Sequence, residues 1–143
     1  QALIRTKMFS NPIASYKQMD LEADIRGSDP HRLILLLFDG ASASLVQAKA
    51  RIEQKDIPGK SDAIVKAIAI ISDGLSASLN LEAGGELANN LKAIYDYMVR
   101  RLVHANLHMD ISAINEVETL LEEIGGAWRE MGENMKKADA ANI

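Results

Sequence analysis

Four stretches of this chain, each about 22–27 residues long and almost free of helix breakers, repeat their apolar side chains with a helical period. Breaks separate them. Ser28-Asp29-Pro30 reads as a helix start, with Asp29 able to cap and Pro30 suited to the first helical position. Gln54–Lys60 holds the Pro58-Gly59 turn signal. Gly84-Gly85 ends the second periodic stretch as a C-cap would. His108–Asp110 interrupts the third, and Asp110 can N-cap the fourth. At about 1.5 Å per residue the matched lengths favour an antiparallel bundle.

Placed on helical wheels, each stretch has an apolar stripe. The first gathers Leu33, Leu37, Ala41, Ser44, Ala48 and Ile52, and the second Ile64, Ile68, Ile71, Leu75 and Leu79. The third gathers Leu87, Leu91, Ile94, Tyr95, Met98 and Leu102. In the fourth, Ile114, Val117, Leu121, Ile124 and Trp128 cluster, while Asn115, Glu116, Thr119, Glu122 and Glu123 point away. The expected fold is all-α, an antiparallel four-helix bundle over 28–131. Residues 1–27 lack a clear period and are expected to form a mobile N-terminal segment; 132–143 turn polar and are expected to fray. Gln1 cannot initiate translation, so Met8 is read as a start and Gln1–Lys7 as an expression or cleavage remnant.

Composition narrows the function. With 143 residues, 48% apolar and 4% aromatic, the chain suits one helical domain and not a sandwich of short strands. A net charge of −4 gives no general attraction to nucleic acid or anionic lipid. Having no cysteine, it cannot use disulfides, thiol catalysis or Cys-ligated zinc, and this is compatible with the cytosol. The longest apolar run, Leu33–Phe38, falls far short of the roughly 20 residues that span a bilayer, so no direct membrane insertion is expected.

Chemistry is sparse. No Glu-x-x-His pair, HExxH, GxSxG, P-loop or GxGxxG occurs, so neither enzyme activity nor a cofactor nor a metal is expected. His104 and His108 stand four apart but have no carboxylate in register, which suits a surface role better than a metal site. Arg100-Arg101 could meet phosphate in a helix-turn-helix, yet Asp96 lies one turn before it and the next helix is rich in Glu; no nucleic-acid partner is expected.

What stands out is apolar surface beyond the seam. Leu35 and Val46 project roughly opposite the first stripe, with Phe38 on its far flank. One flank of the second helix, Ala63, Ala67, Ile70, Gly74, Ala77 and Leu81, is a shallow strip of mostly small residues. The third helix offers Asn90, Tyr97, Arg101 and His104 as an aromatic and hydrogen-bonding strip. Two readings stay open. The flanks pack against neighbouring helices or against residues 9–27, or they form a groove for a partner's amphipathic helix or extended segment. On the second reading the candidate contacts are Leu35, Phe38, Val46, Ile70, Gly74, Ala77, Tyr97 and Arg101.

From about Ile13 to Trp128 the chain resembles the flagellar export chaperones that bind flagellin. The resemblance is carried by SDPHRLILLLFDGASASL (28–45), KAIAIISDGLSASL (66–79) and NNLKAIYDYMVRRLVHANLHMDISAINEVETLL (89–121). Gly125-Gly126 departs from the alanine spacing expected before Trp128. The resemblance implies a cytoplasmic chaperone that holds the disordered C-terminal segment of flagellin, prevents premature polymerisation and delivers it to a membrane protein of the type III export gate. It also implies that Ile13 and Tyr16 match the residues linked to docking on that gate and to regulation through an anti-sigma factor. The alternatives are a self-associating helical bundle and a regulatory protein-binding adaptor.

Overall fold

A computed structural model describes residues 29–141. Four helical rods make up this part of the chain: α1 (Pro30–Glu53), α2 (Ile57–Ala69) continued by a π-helical segment (Ile70–Ser76), α3 (Leu81–His108) and α4 (Ile111–Ala141). No strand occurs among the described residues, and the all-α four-helix reading holds.

The helix starts follow local chemistry. The Asp29 side chain accepts from the His31 N–H at 3.1 Å, and Pro30 opens α1 where its missing N–H costs nothing. Asp110 caps α4 through the Ala113 N–H at 3.3 Å. The second break is displaced from the expected turn. Lys55 takes a left-handed φ of 58°. Pro58 and Gly59 then sit inside the first turn of α2, whose cap is Asp56, bonded to the Gly59 N–H at 3.0 Å.

Three expectations need correction. Gly84-Gly85 does not end the second helix, which closes at Ser76; Asn80 caps α3 instead, and Gly85 kinks it at φ 58°, ψ −137°. The expected frayed tail is helical through Ala141. Glu116, expected to point away, reaches across to α3.

The packing order is a ring in which α1 touches α2 and α4, and α3 closes against both α2 and α4. Cross-links show the antiparallel sense. Lys60, at the start of α2, bonds Asn106 near the end of α3 at 2.9 and 2.8 Å. Lys49, late in α1, pairs with Glu118, early in α4, at 2.6 Å. Inside lie Leu37, Leu45, Ile64, Ile71, Met98, Leu102, Ile114 and Leu121, each essentially without solvent contact. By length and hydropathy α1 could span a membrane, but its buried face supplies the bundle core, as such a helix does in a folded domain.

Candidate binding surface

At the end of the bundle where α1 begins, the central seam is left open. A cleft of about 260 Å³ lies between two walls. One wall is Ile34 and Phe38 of α1 with Ile124 and Trp128 of α4. The other is Leu75, Leu79, Gly84, Leu87, Ala88 and Leu91. Leu87, in the stripe that should face the core, is 69% exposed because the neighbouring rods leave it nothing to pack on.

The α1–α4 wall is fixed by close contacts. The Trp128 indole N–H donates to the His31 carbonyl at 3.2 Å, and the His31 ring stacks on the indole at 4.9 Å. A Cβ on Gly125 would stand 3.1 Å from the Phe38 ring, so the glycine that departed from the expected pattern lets α1 and α4 approach closely here. Tyr95 lines the cleft from α3, and burial pushes its phenol up to about 12.

The cleft has no catalytic constellation, and no cluster suited to a metal ion occurs among the described residues. Its volume is below the roughly 300–1,000 Å³ usual for small-molecule sites, and it is partly open to solvent. Such a trough suits successive apolar side chains of another polypeptide.

The sequence-derived candidates scatter. Phe38 lies in the cleft wall, and Ala77 is exposed beside the cleft at the exit of α2. Val46 is exposed on α1, away from this end. Leu35 is half-buried in a separate crevice between α1 and the last turns of α4, lined also by Asp29, Arg32, Arg129 and Glu133. Ile70 and Gly74, expected on an open flank, are buried. The small-residue flank is used by α1, with Ala63 and Ala67 also in the core, so the packing reading describes these positions. Tyr97 and Arg101 are engaged within the molecule. The Tyr97 hydroxyl donates to Glu116 at 2.6 Å and the Arg101 Nε donates at 2.7 Å. These two bonds, Tyr97 foremost, hold the Glu116 carboxyl below its ordinary range. Ile13 and Tyr16 lie outside the described residues.

Missed as cleft lining were Leu79, Leu87, Leu91, Ile124 and Trp128, all read as seam; Leu75, also read as seam, is buried at the cleft floor. One signal pointed to Leu79, Leu87 and Leu91: they flank the Gly84-Gly85 break, where the third stripe begins without a regular helix behind it; nothing in the sequence marked Ile124 and Trp128. A further set of exposed apolar side chains, Ile57, Val103, Leu107, Met109 and Ile111, belongs to the opposite end. There His104 meets Asp110 at 3.0 Å, and its ring lies 4.7 Å from that of His108.

Fold and cleft together define an all-α helical bundle with an apolar cleft open at one end. Residues 12–135 match the family model described as flagellar protein FliS. The chain is 49% identical over 119 residues to the flagellar secretion chaperone FliS of Salmonella typhimurium, covering 83% of this chain and 88% of that one. It is 46% identical over 113 residues to FliSB of Pseudomonas aeruginosa (79% and 89%) and 42% identical over 116 residues to FliS of Escherichia coli (81% and 85%). The chain belongs to the FliS family of flagellar secretion chaperones.

Proposed function

We propose that this protein is a cytoplasmic export chaperone whose open cleft receives apolar side chains from the C-terminal segment of flagellin. The observation that carries this is the unfilled seam at one end of the bundle, with Leu87 standing out in water beside Leu79 and Trp128. A monomer gains nothing from leaving such side chains uncovered, whereas a partner that covers them gains their transfer free energy. Occupying an aggregation-prone tail in this way withholds it from polymerisation until export. Family membership supports the flagellar assignment.

Release at the secretion machine fits docking on the cytoplasmic part of an export-gate membrane protein through Ile13 and Tyr16, which fall within the family-matched span. The same N-terminal positions suit contact with an anti-sigma factor.

Calorimetric titration with a flagellin C-terminal peptide tests the cleft. Leu87→Asp should leave helicity and melting close to the parent, because the side chain is largely in solvent, and should weaken binding at least tenfold. Parental affinity in Leu87→Asp would rule out this surface.

A further inference from the structure

The two walls of the cleft differ in how they are held. Trp128 and Phe38 stand on regular helix and are pinned by His31 and Gly125. The facing wall comes from the least regular backbone among the described residues. It begins with the π-helical turns Ile70–Ser76, which tighten abruptly where the Ala77 N–H bonds the Gly74 carbonyl. The Leu79 N–H bonds the Ser76 carbonyl at 3.2 Å, and Asn80 then caps a single turn that ends at Gly85. The Gly85 backbone, φ 58° and ψ −137°, is a conformation that side chains other than glycine's resist.

Between these two irregularities the chain is lightly tethered. Every residue from Asn80 to Leu87 is exposed. The hydrogen bonds here are local: Ser78 Oγ to the Leu75 carbonyl at 2.8 Å, the Ala83 N–H to Asn80 Oδ1 at 3.0 Å, and the Asn89 amide to the Gly85 carbonyl at 3.0 Å. None found among the described residues joins Ala77–Gly85 to α1 or α4. The stretch nonetheless carries cleft-lining Leu79 and Gly84, and Leu81, whose side chain is half in solvent.

We infer that Ala77–Gly85 is a flap, hinged on the π-helical segment and on Gly85, that folds down over a helix seated in the cleft and sets how long that helix stays. This rests on the cleft being the flagellin site. The π turns supply one hinge because they interrupt the regular bonding of the second rod, as such turns frequently do at functional sites. Gly85 supplies the other because a glycine can change φ and ψ widely without a steric penalty. On closing, the flap brings Leu81 onto the apolar face of the ligand, so the ligand is clasped between a fixed wall and a moving one. A closure that follows encounter lengthens residence and leaves the encounter rate unaltered.

Gly85→Ala separates the flap from the cleft. A Cβ at Gly85 meets nothing within 4 Å, so the substitution acts through the backbone, straightening α3 and carrying the flap off its seat. Stopped-flow binding of a flagellin C-terminal peptide, followed through Trp128, the chain's one tryptophan, gives both rates. The expected result is a dissociation rate raised about five- to tenfold, the share of a leucine's burial that Leu81 loses, with the association rate within about twofold of the parent. Circular dichroism should show equal or greater helicity. A parental dissociation rate, or a loss confined to association, overturns the flap. Leu87→Asp is measured in parallel: if it is impaired while Gly85→Ala dissociates as the parent does, the flap fails and the cleft stands. If Leu87→Asp itself binds like the parent, the cleft assignment fails.

Discussion

Lys60 is a lysine 4% exposed, with no carboxylate bonded to it among the described residues, in the first turns of α2. Its ammonium donates to the Asn106 carbonyl at 2.9 Å and to the Asn106 side-chain oxygen at 2.8 Å; Ser61 Oγ donates to that same oxygen at 3.2 Å. Asn106 stands in the last turn of α3, whose carbonyls have run out of helical N–H partners; the Asp110 N–H goes to the Ala105 carbonyl. A buried cation therefore caps the negative end of one helix from the start of another. Lys60→Met keeps most of the stem and removes the charge. Losing a charge-assisted cap and stranding a part-buried carbonyl costs about 1–3 kcal/mol, with up to about 1 kcal/mol more from the helix dipole. Relief of the ammonium's desolvation offsets some of this. The net expectation is a loss of about 2 kcal/mol, or roughly 6–10 °C in melting temperature for a domain of this size.

Urea denaturation of the parent, Lys60→Met, Asn106→Ala and the double variant measures the effect and its origin. A coupling energy of about 1 kcal/mol between the two positions is expected, because both substitutions remove the bond between the Lys60 ammonium and the Asn106 side-chain oxygen, while the bond to the Asn106 carbonyl survives in Asn106→Ala. If Lys60→Met melts within about 1 °C of the parent, the ammonium is not serving as the cap and the reasoning fails; simple additivity would leave only the backbone carbonyl as its partner.

Other perturbations have equally definite signs. Gly126→Ala should raise stability by about 0.5–1 kcal/mol, since its Cβ would enter open space in α4. Gly125→Ala should gain less or nothing because Phe38 stands in the way; calorimetric melting ranks the two. Asp110 is held down to about 2, first by the Ser112 hydroxyl and then by the Ala113 N–H and His104, and Glu116 is held below 4.5 by Tyr97 and Arg101. Carboxyls with depressed folded values contribute stability above their unfolded values and lose it as pH falls. Asp110→Asn with Glu116→Gln should therefore flatten the fall in melting temperature between about pH 4.5 and 2. Tyr95 contributes to the opposite limb, together with Tyr97, which its bond to Glu116 also raises. The Tyr95 phenol is raised from 10.0 to about 12, so its contribution is intact below pH 10 and is lost across that interval; Tyr95→Phe should lessen the alkaline slope in the same assay.

Periodicity carried the rods and most of the core, because a stripe at helical spacing must be covered by something. It could not say by what. Leu87, Leu91, Ile124 and Trp128 fall on the correct faces, yet at this end of the bundle those faces meet a cleft instead of one another. A wheel reads the direction of a side chain and is blind to where the neighbouring rod stops. Ile70 and Gly74 failed differently. The wheel drew a narrow seam, whereas the second rod is buried over a wider arc, so Ala63, Ala67, Ile70 and Gly74 are covered beside Ile64, Ile71 and Leu75. Tyr97 and Arg101 looked available because Glu116 was placed on the outer face of its own helix. Only the antiparallel register of α3 and α4 shows that it sits opposite them.

The cleft is core chemistry left without its last layer. A bundle forgoes stability by leaving leucines uncovered, and it tolerates this only if the exposed end is held open and the rest is well tied. The opposite end supplies such ties in the Lys60–Asn106 cap and the His104–Asp110 pair. The cleft end has its own brace, the Trp128–His31 contact, which keeps α4 on α1 and prevents that wall from collapsing into the gap. Weakening this brace should damage function in a characteristic way. His31→Ala removes the stacked ring but leaves the carbonyl that Trp128 bonds, so the bundle should persist while the wall loses its fixed position. Trp128 emission should broaden and shift to the red in the free protein, and the flagellin peptide should bind more weakly through slower productive association. An unchanged emission spectrum together with parental association would mean that the wall stands without His31, and that the preformed cleft is maintained by the Phe38–Gly125 contact instead.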